Sequence, residues 1–353
     1  MSINKFGKEI VIKKLQEIMK SINNTMHQVK KRTIRNFTIT LATSLIMSST
    51  TFAGEHNVND WNSYKNAIME DMLKQDESIV INYKSDKTYK SFQEVKDLVQ
   101  TMYNEVADDM LGTLEENNVR GIHFKTIGTV KNNVDYKLTS GEYNITYKNS
   151  FQDMQQSQTI IDNFLSNNID SSMSDYEKVK IIYNFVIDKL SYGYANTGDT
   201  AQDKLNERNI LLGLQGNPVV CEGYSMLFSK MMTSAGYNNK IIRGKVDSDG
   251  HSWNLVEIDN QWYHVDATWG DSISEKRQED YFLTSDDFIE AKDNPQINRT
   301  WIKANYPQAL EIYNKEIKNE DHIEAANAVK FAEQKKIRII RYGSELSKLL
   351  NRR

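Results

Sequence analysis

The stretch "HSWNLVEIDNQWYHVDATW", His251–Trp269, alternates apolar and polar residues on both sides of Asp259-Asn260. Alternation marks strands that bury one face, and an Asp-Asn pair tolerates the positive φ angles of a two-residue hairpin turn. With that pair as the turn, Ile258 faces Gln261, and counting outward sets Trp253 opposite Asp266. His251 shares a face with Trp253 and becomes the diagonal neighbour of Asp266. Diagonal neighbours lie roughly 7–8 Å apart at the backbone, within reach of an imidazole and a carboxylate. A further strand, "NKIIRGKV" (Asn239–Val246), precedes this hairpin through Asp247-Ser248-Asp249-Gly250. Treating all four residues as the turn predicts Val246 opposite His251, and Gly244 opposite Trp253. A residue without a side chain would then stand beside the bulkiest ring. The Asp-Ser-Asp-Gly run reads as an ordinary turn, because the other ligands of a calcium loop are missing.

Upstream lies "GNPVVCEGYSMLFSKMMTSAG", Gly216–Gly236. Pro218 punctuates it, Tyr224, Phe228, Met231, Met232 and Ala235 recur at helical spacing, and Gly236 stops the helix. Cys221, the only cysteine of 353 residues, falls in the first turn. An apolar helix of this kind is expected to cover the sheet face that carries His251. Its start would then present a nucleophile (Cys221), a base (His251) and an orienting acid (Asp266). A helix N-terminus and a nearby imidazolium both favour a thiolate, which is the nucleophilic form. The imidazole can pass a proton to a leaving group while the carboxylate fixes its tautomer. Backbone N–H groups of the first turn could hold an oxyanion. Two other readings fit these residues: an inert buried thiol, and a zinc site made of Cys221, His251 and Asp266. His264 shares the face of His251 and is a second candidate base, though a supporting role is expected for it. Trp253, Trp262, Tyr263 and Trp269 read mainly as core.

The rest of the chain is chemically quieter. Strand-like "SIVINYK" and helical "SFQEVKDLVQTMYNEVADDML", capped by Ser91, precede three expected strands, "GIHFKTIGTV", "NVDYKL" and "GEYNITYK". Helices follow over 151–167 and 175–190, the second opened by a Ser174-x-x-Glu177 capping box. The region after Ser272 reads as mostly helical.

At the N-terminus, "KKRTIRNFTITLATSLIMSSTTFAG" has a basic head, an apolar run over 37–47 and a small-x-small end at Thr51-Phe52-Ala53. This is the pattern of a signal peptide cleaved after Ala53, with either Met1 or Met26 as the start. The run is too short to span a bilayer, which takes about 20 residues. Residues 1–53 hold nine basic and two acidic side chains, so their removal takes the net charge from −4 to −11. Such a chain is a poor nucleic-acid binder and has no expected integral membrane domain. The Asn-, Lys- and Ile-rich composition fits a bacterial, AT-rich coding sequence. One cysteine cannot make an internal disulfide, which removes the usual reason for cysteine outside the cell. The 330–353 segment, eight basic residues against two acidic, reads as a solvated helix able to touch an anionic cell wall.

"VVCEGYSMLF", "HSWNLVEIDNQWYHVDATWGD" and "YFLTSDD" together resemble the transglutaminase-like superfamily, specifically its bacterial exported members. The resemblance is strong over about residues 174–287 and faint before them. It implies an α+β fold with a papain-like core, a Cys-bearing helix packed on an antiparallel sheet. It also implies Cys221, His251 and Asp266 as the catalytic residues, with no cofactor and no metal. An aromatic or polar residue upstream of the nucleophile often assists the oxyanion in such proteins, which points to Tyr192 or Tyr194. The expected organisation is an extension and signal peptide (1–53), a small α+β domain (54–150), a catalytic domain (151–300) and a basic helical tail (301–353). The expected activity is that of a secreted thiol enzyme cutting amide bonds in a protein or peptide substrate, cell-wall associated or not. Transfer to a lysine amine and a catalytically idle binding module are the alternatives.

Overall fold

The computed structural model describes residues 54–131, 135–194, 200–271, 279–290 and 299–314. The expected signal peptide and the part of the expected tail beyond residue 314 lie outside the described residues, while residues 301–314, expected to be helical, hold only a 3-10 turn at Lys303–Asn305. The first unit contains strand β1 (Gly54–Val58), helix α1 (Trp61–Lys74), β2 (Ser78–Tyr83), α2 (Phe92–Asp109), β3 (Val119–Lys131) and β4 (Asp135–Tyr147). They form a sheet of order β1-β2-β4-β3 in which β1 runs parallel to β2 and the other pairs are antiparallel. Ser91 caps α2 by accepting from the Glu94 N–H. Tyr64, Ile68 and Met72 of α1 and Val95, Val99 and Met102 of α2 pack with Ile79, Ile81, Tyr143 and Ile145 of the sheet. The last two expected strands are in fact one, β4, which runs straight through Ser140-Gly141. Gly141 does not break the strand; it makes room for a helix. A Cβ there would lie 1.9 Å from the Tyr64 hydroxyl.

The second unit begins with α3 (Phe151–Asn168) and α4 (Asp175–Lys189), the latter opened by the Ser174/Glu177 capping box. It continues through α5 (Cys221–Ser234), β5 (Asn239–Val246), β6 (Asp249–Ile258), β7 (Gln261–Val265), the single turn α6 (Ala267–Gly270), β8 (Phe282–Thr284) and β9 (Arg299–Thr300). The sheet order is β8-β7-β6-β5-β9, antiparallel throughout. The expected α+β core, a helix on an antiparallel sheet, is therefore present. The two units join at β5: the Ile241 N–H donates to the Gly112 carbonyl (2.6 Å), and Arg243 Nε donates to Asn117 Oδ1 (2.8 Å).

The β6–β7 register is as counted. Asp259 and Asn260 take φ of 53° and 62°, and Ile258 pairs with Gln261 out to Asn254 with Val265. β7 stops at Val265, and Asp266 caps α6 instead of prolonging the strand. The β5–β6 turn is tighter than expected, with only Asp247 and Ser248 outside the ladder, so Val246 pairs with Asp249 and Gly244 with His251. Asp247 permits this by adopting a left-handed φ of 53°. A two-residue slip leaves every side chain on its original face. Gly244 therefore still lies against Trp253, now diagonally, and a Cβ on it would stand 2.5 Å from the indole and 2.4 Å from the Thr300 carbonyl.

Two further expectations are corrected. Helix α5 does not cover the face of Trp253. Its apolar residues pack with Val256, Ile258, Tyr263 and Val265 on the opposite face. Trp253 and Leu255 are covered by Ile289 and Ala309, with Trp301 and Tyr306 beside them. After Asp271, the described residues also supply edge strands on both sides of the sheet where a mostly helical tail was expected. Burying the second face requires these late segments.

Candidate active site

Helix α5 is docked by polar contacts close to its start. Ser225 Oγ lies 2.8 Å from Ser252 Oγ, and Asn254 Nδ2 donates to the Ser225 carbonyl at 3.0 Å. Cys221 is one helical turn before Ser225, and His251 one residue before Ser252. This docking brings the helix start to the strand start, with the half-buried Cys221 thiol near enough to the His251 imidazole to favour its protonated form. Val220, the residue preceding the helix, offers no side-chain cap. Glu222, next to the thiol, has its carboxylate held by Lys148 (2.9 Å) and Arg208. Burial opposes its charge, but these two cations outweigh burial and lower its pKa.

His251 and Asp266 meet as the register requires, with Nε2 donating to Asp266 Oδ2 at 2.7 Å. That bond leaves Nδ1 as the ring nitrogen not engaged by Asp266. The imidazole also stacks on Trp253, with centroids 5.7 Å apart and planes 15° apart. Burial disfavours the imidazolium, yet Asp266 and Cys221 together prevail and raise the His251 pKa to about 9. Asp266 is almost fully buried and held by more than histidine. Its Oδ2 also accepts from Arg299 Nε (2.9 Å) and Nη2 (2.5 Å), and its Oδ1 accepts from the Trp269 N–H (3.2 Å). Burial pushes this carboxyl upward, but the two cations pull it well below the usual carboxylate range. A zinc ion on Cys221, His251 and Asp266 would have to share that carboxylate with the buried guanidinium, a repulsive arrangement.

His264 is not placed to act as a base. It is buried, its Nδ1 accepts from Trp253 Nε1 (3.0 Å), and its Nε2 donates to Asp286 Oδ1 (2.8 Å). Trp253 is buried and thereby fixed as the platform beneath the His251 ring. Tyr192 and Tyr194 stand 51% and 66% exposed, their rings 6.2 Å apart. Their loop is tied to the segment before the nucleophile, through Gly193 N–H to the Val219 carbonyl (3.2 Å) and Val219 N–H to the Ser191 carbonyl (3.0 Å). Burial raises the Tyr192 pKa, and the neighbouring Tyr194 and Cys221 add to the shift. Sequence reasoning missed Arg299 and Asp286. The acid in "YFLTSDD" hinted at Asp286; no pattern marked Arg299.

Part of the chain is similar to known proteins. Residues 163–267 match the family model described as Transglutaminase-like superfamily. Over 171 residues the chain is 28% identical to the Kyphoscoliosis peptidase of Homo sapiens and 26% identical to that of Mus musculus. Each match takes in 42% of this chain and 25% of the relative, so the chain spans about a quarter of the length of these curated relatives. A crystal structure of a TGase aligns with a TM-score of 0.29 at 14% identity, covering 63% of this chain and 62% of that one.

Proposed function

We propose that this chain, which carries a transglutaminase-like domain, is a thiol enzyme acting on peptide or side-chain amide bonds through an acyl-enzyme at Cys221. The observation that supports this reading is the His251 imidazole held 2.7 Å from Asp266 by Nε2, with its pKa raised by Asp266 and, to a lesser degree, by Cys221. The thiol gives its proton to Nδ1, and the sulfur attacks the amide carbonyl. The absence of a side-chain cap leaves first-turn N–H groups to receive the oxyanion. His251 then protonates the departing amine. In the second half it takes a proton from water, which attacks the thioester and regenerates the thiol.

Water is favoured over a lysine amine as the acyl acceptor. The thiol is only half-buried and so is accessible to water. The peptidase name of the curated relatives points the same way. The reading extends to an exported protein, cleaved after Ala53, acting on a protein or peptide substrate at the cell envelope. Sequencing the mature N-terminus should find Gly54 first, and an intact N-terminus would contradict export by this route.

The acceptor is tested by incubating the protein with a glutamine peptide and a labelled amine. Ammonia release or peptide cleavage without label incorporation is expected. Incorporation would replace hydrolysis by transfer. Neither product, across a panel of peptides and cell-wall fragments, would leave an idle binding module.

A further inference from the structure

The buried guanidinium of Arg299 belongs to neither half of the expected triad, and its position is costly unless it is used. It is fully buried on a two-residue strand held to β5 by the Val246–Arg299 and Lys245–Thr300 pairs. The side-chain-free Gly244 leaves space for that strand. Trp269 and Tyr281 lie against the guanidinium, 5.4 Å and 5.1 Å from ring centroid to Cζ. A cation in such surroundings needs a counter-ion, and both its Nε and Nη2 go to Asp266 Oδ2, the oxygen that also holds His251.

We propose that Arg299 is a positioning residue acting through Asp266: it clamps the carboxylate in the rotamer that aims His251 at the thiol, and shares its charge so that the imidazolium is held but still gives up its proton. This rests on the thiol-enzyme reading above. A carboxylate facing histidine alone would put its whole charge on the imidazolium, and the ring would part with its proton less readily. With the guanidinium on the same oxygen, the His251–Asp266–Arg299 row carries one net positive charge when protonated, balanced by the thiolate. Among the described residues, the other groups facing this row include Cys221 from α5, Tyr183 from α4, Tyr281 and the neutral His264. None of these supplies a second cation. Arg299 also lies outside residues 163–267, so the device is built from a segment beyond the family-matched core.

The test uses the full chain, with iodoacetamide as the probe of Cys221 and the NMR titration of the His251 ring as the second readout. In Arg299→Gln, losing a positive charge should move both the rise of the alkylation rate and the His251 titration to higher pH by about one unit. Arg299→Lys keeps the charge and should leave both positions within a few tenths of a unit while slowing alkylation several-fold, because one ammonium cannot reproduce the two-donor clamp. This lysine variant decides the matter if the glutamine variant does not fold. A glutamine variant whose profile superimposes on that of the native protein, or a lysine variant displaced by a full unit, would overturn the inference. A native thiol that reacts no faster than in unfolded protein would instead sink the enzyme reading, and this inference with it.

Discussion

Two histidine–aspartate pairs sit on the same sheet with nearly the same geometry: His251–Asp266 at 2.7 Å and His264–Asp286 at 2.8 Å. Both rings are buried, and both Nε2 atoms face a carboxylate. Their electrostatics run in opposite directions. His251 is raised to about 9, while His264 is lowered because burial outweighs its carboxylate. The difference lies at the other nitrogen. Nδ1 of His264 accepts from the Trp253 indole, which requires a neutral ring, whereas Nδ1 of His251 is not engaged by Asp266, and the nearby thiol can give the ring a proton. A His–Asp pair is therefore not by itself a mark of catalysis. The partner on the far nitrogen decides whether the ring carries protons or holds a neighbour still.

The largest expected break in this comparison is in turnover. His251→Ala should lower amide turnover on the order of 10²- to 10⁴-fold, while His264→Ala, acting only through Trp253, should cost less than about tenfold at equal folded fraction. Next comes stability. Asp266→Asn leaves Arg299 buried without its counter-ion and should cost roughly 3–5 kcal/mol. Asp286→Asn replaces a charged acceptor by a neutral one facing a neutral ring and should cost only about 1–2 kcal/mol. Urea unfolding of both variants measures the contrast.

The pH dependence separates the pairs more finely. A folded pKa raised in His251 means its contribution to stability is complete below the unfolded value of about 6.5 and is lost as pH rises through about 9. A lowered folded pKa in His264 means its contribution is present above about 6.5 and is lost as pH falls below that value. Melting temperatures from pH 5 to 10 should show His251→Gln flattening the alkaline decline and His264→Gln flattening the acid one. A further break is Gly244→Ala. Its Cβ would collide with the Thr300 carbonyl and the Trp253 ring at 2.4–2.5 Å, costing about 1–3 kcal/mol, with slower Cys221 alkylation as β9 shifts.

The legible parts of the site are those set by local rules. Asp259-Asn260 could only turn in one tight way, so the facing of His251 and Asp266 followed from counting. Helical spacing after Pro218 placed Cys221 in a first turn. What escaped was non-local. The Asp247 turn closed in two residues where four were expected, because a left-handed aspartate is a choice the sequence permits without announcing. The face that α5 covers depends on which late segments bury Trp253, and Ile289 and Ala309 carry no periodic signal. Arg299 contacts an aspartate 33 residues away from a strand of two residues, too short for any alternation to reveal.

The central claim is that Cys221 and His251 work as one proton-sharing unit. Its most direct test is the rate of Cys221 alkylation by iodoacetamide near neutral pH in the native protein, in His251→Ala and in urea-unfolded chain. A native rate at least tenfold above both others is expected. Equal rates in all three would mean that the sulfur and the ring do not act together, and the site would be no more than a packed core.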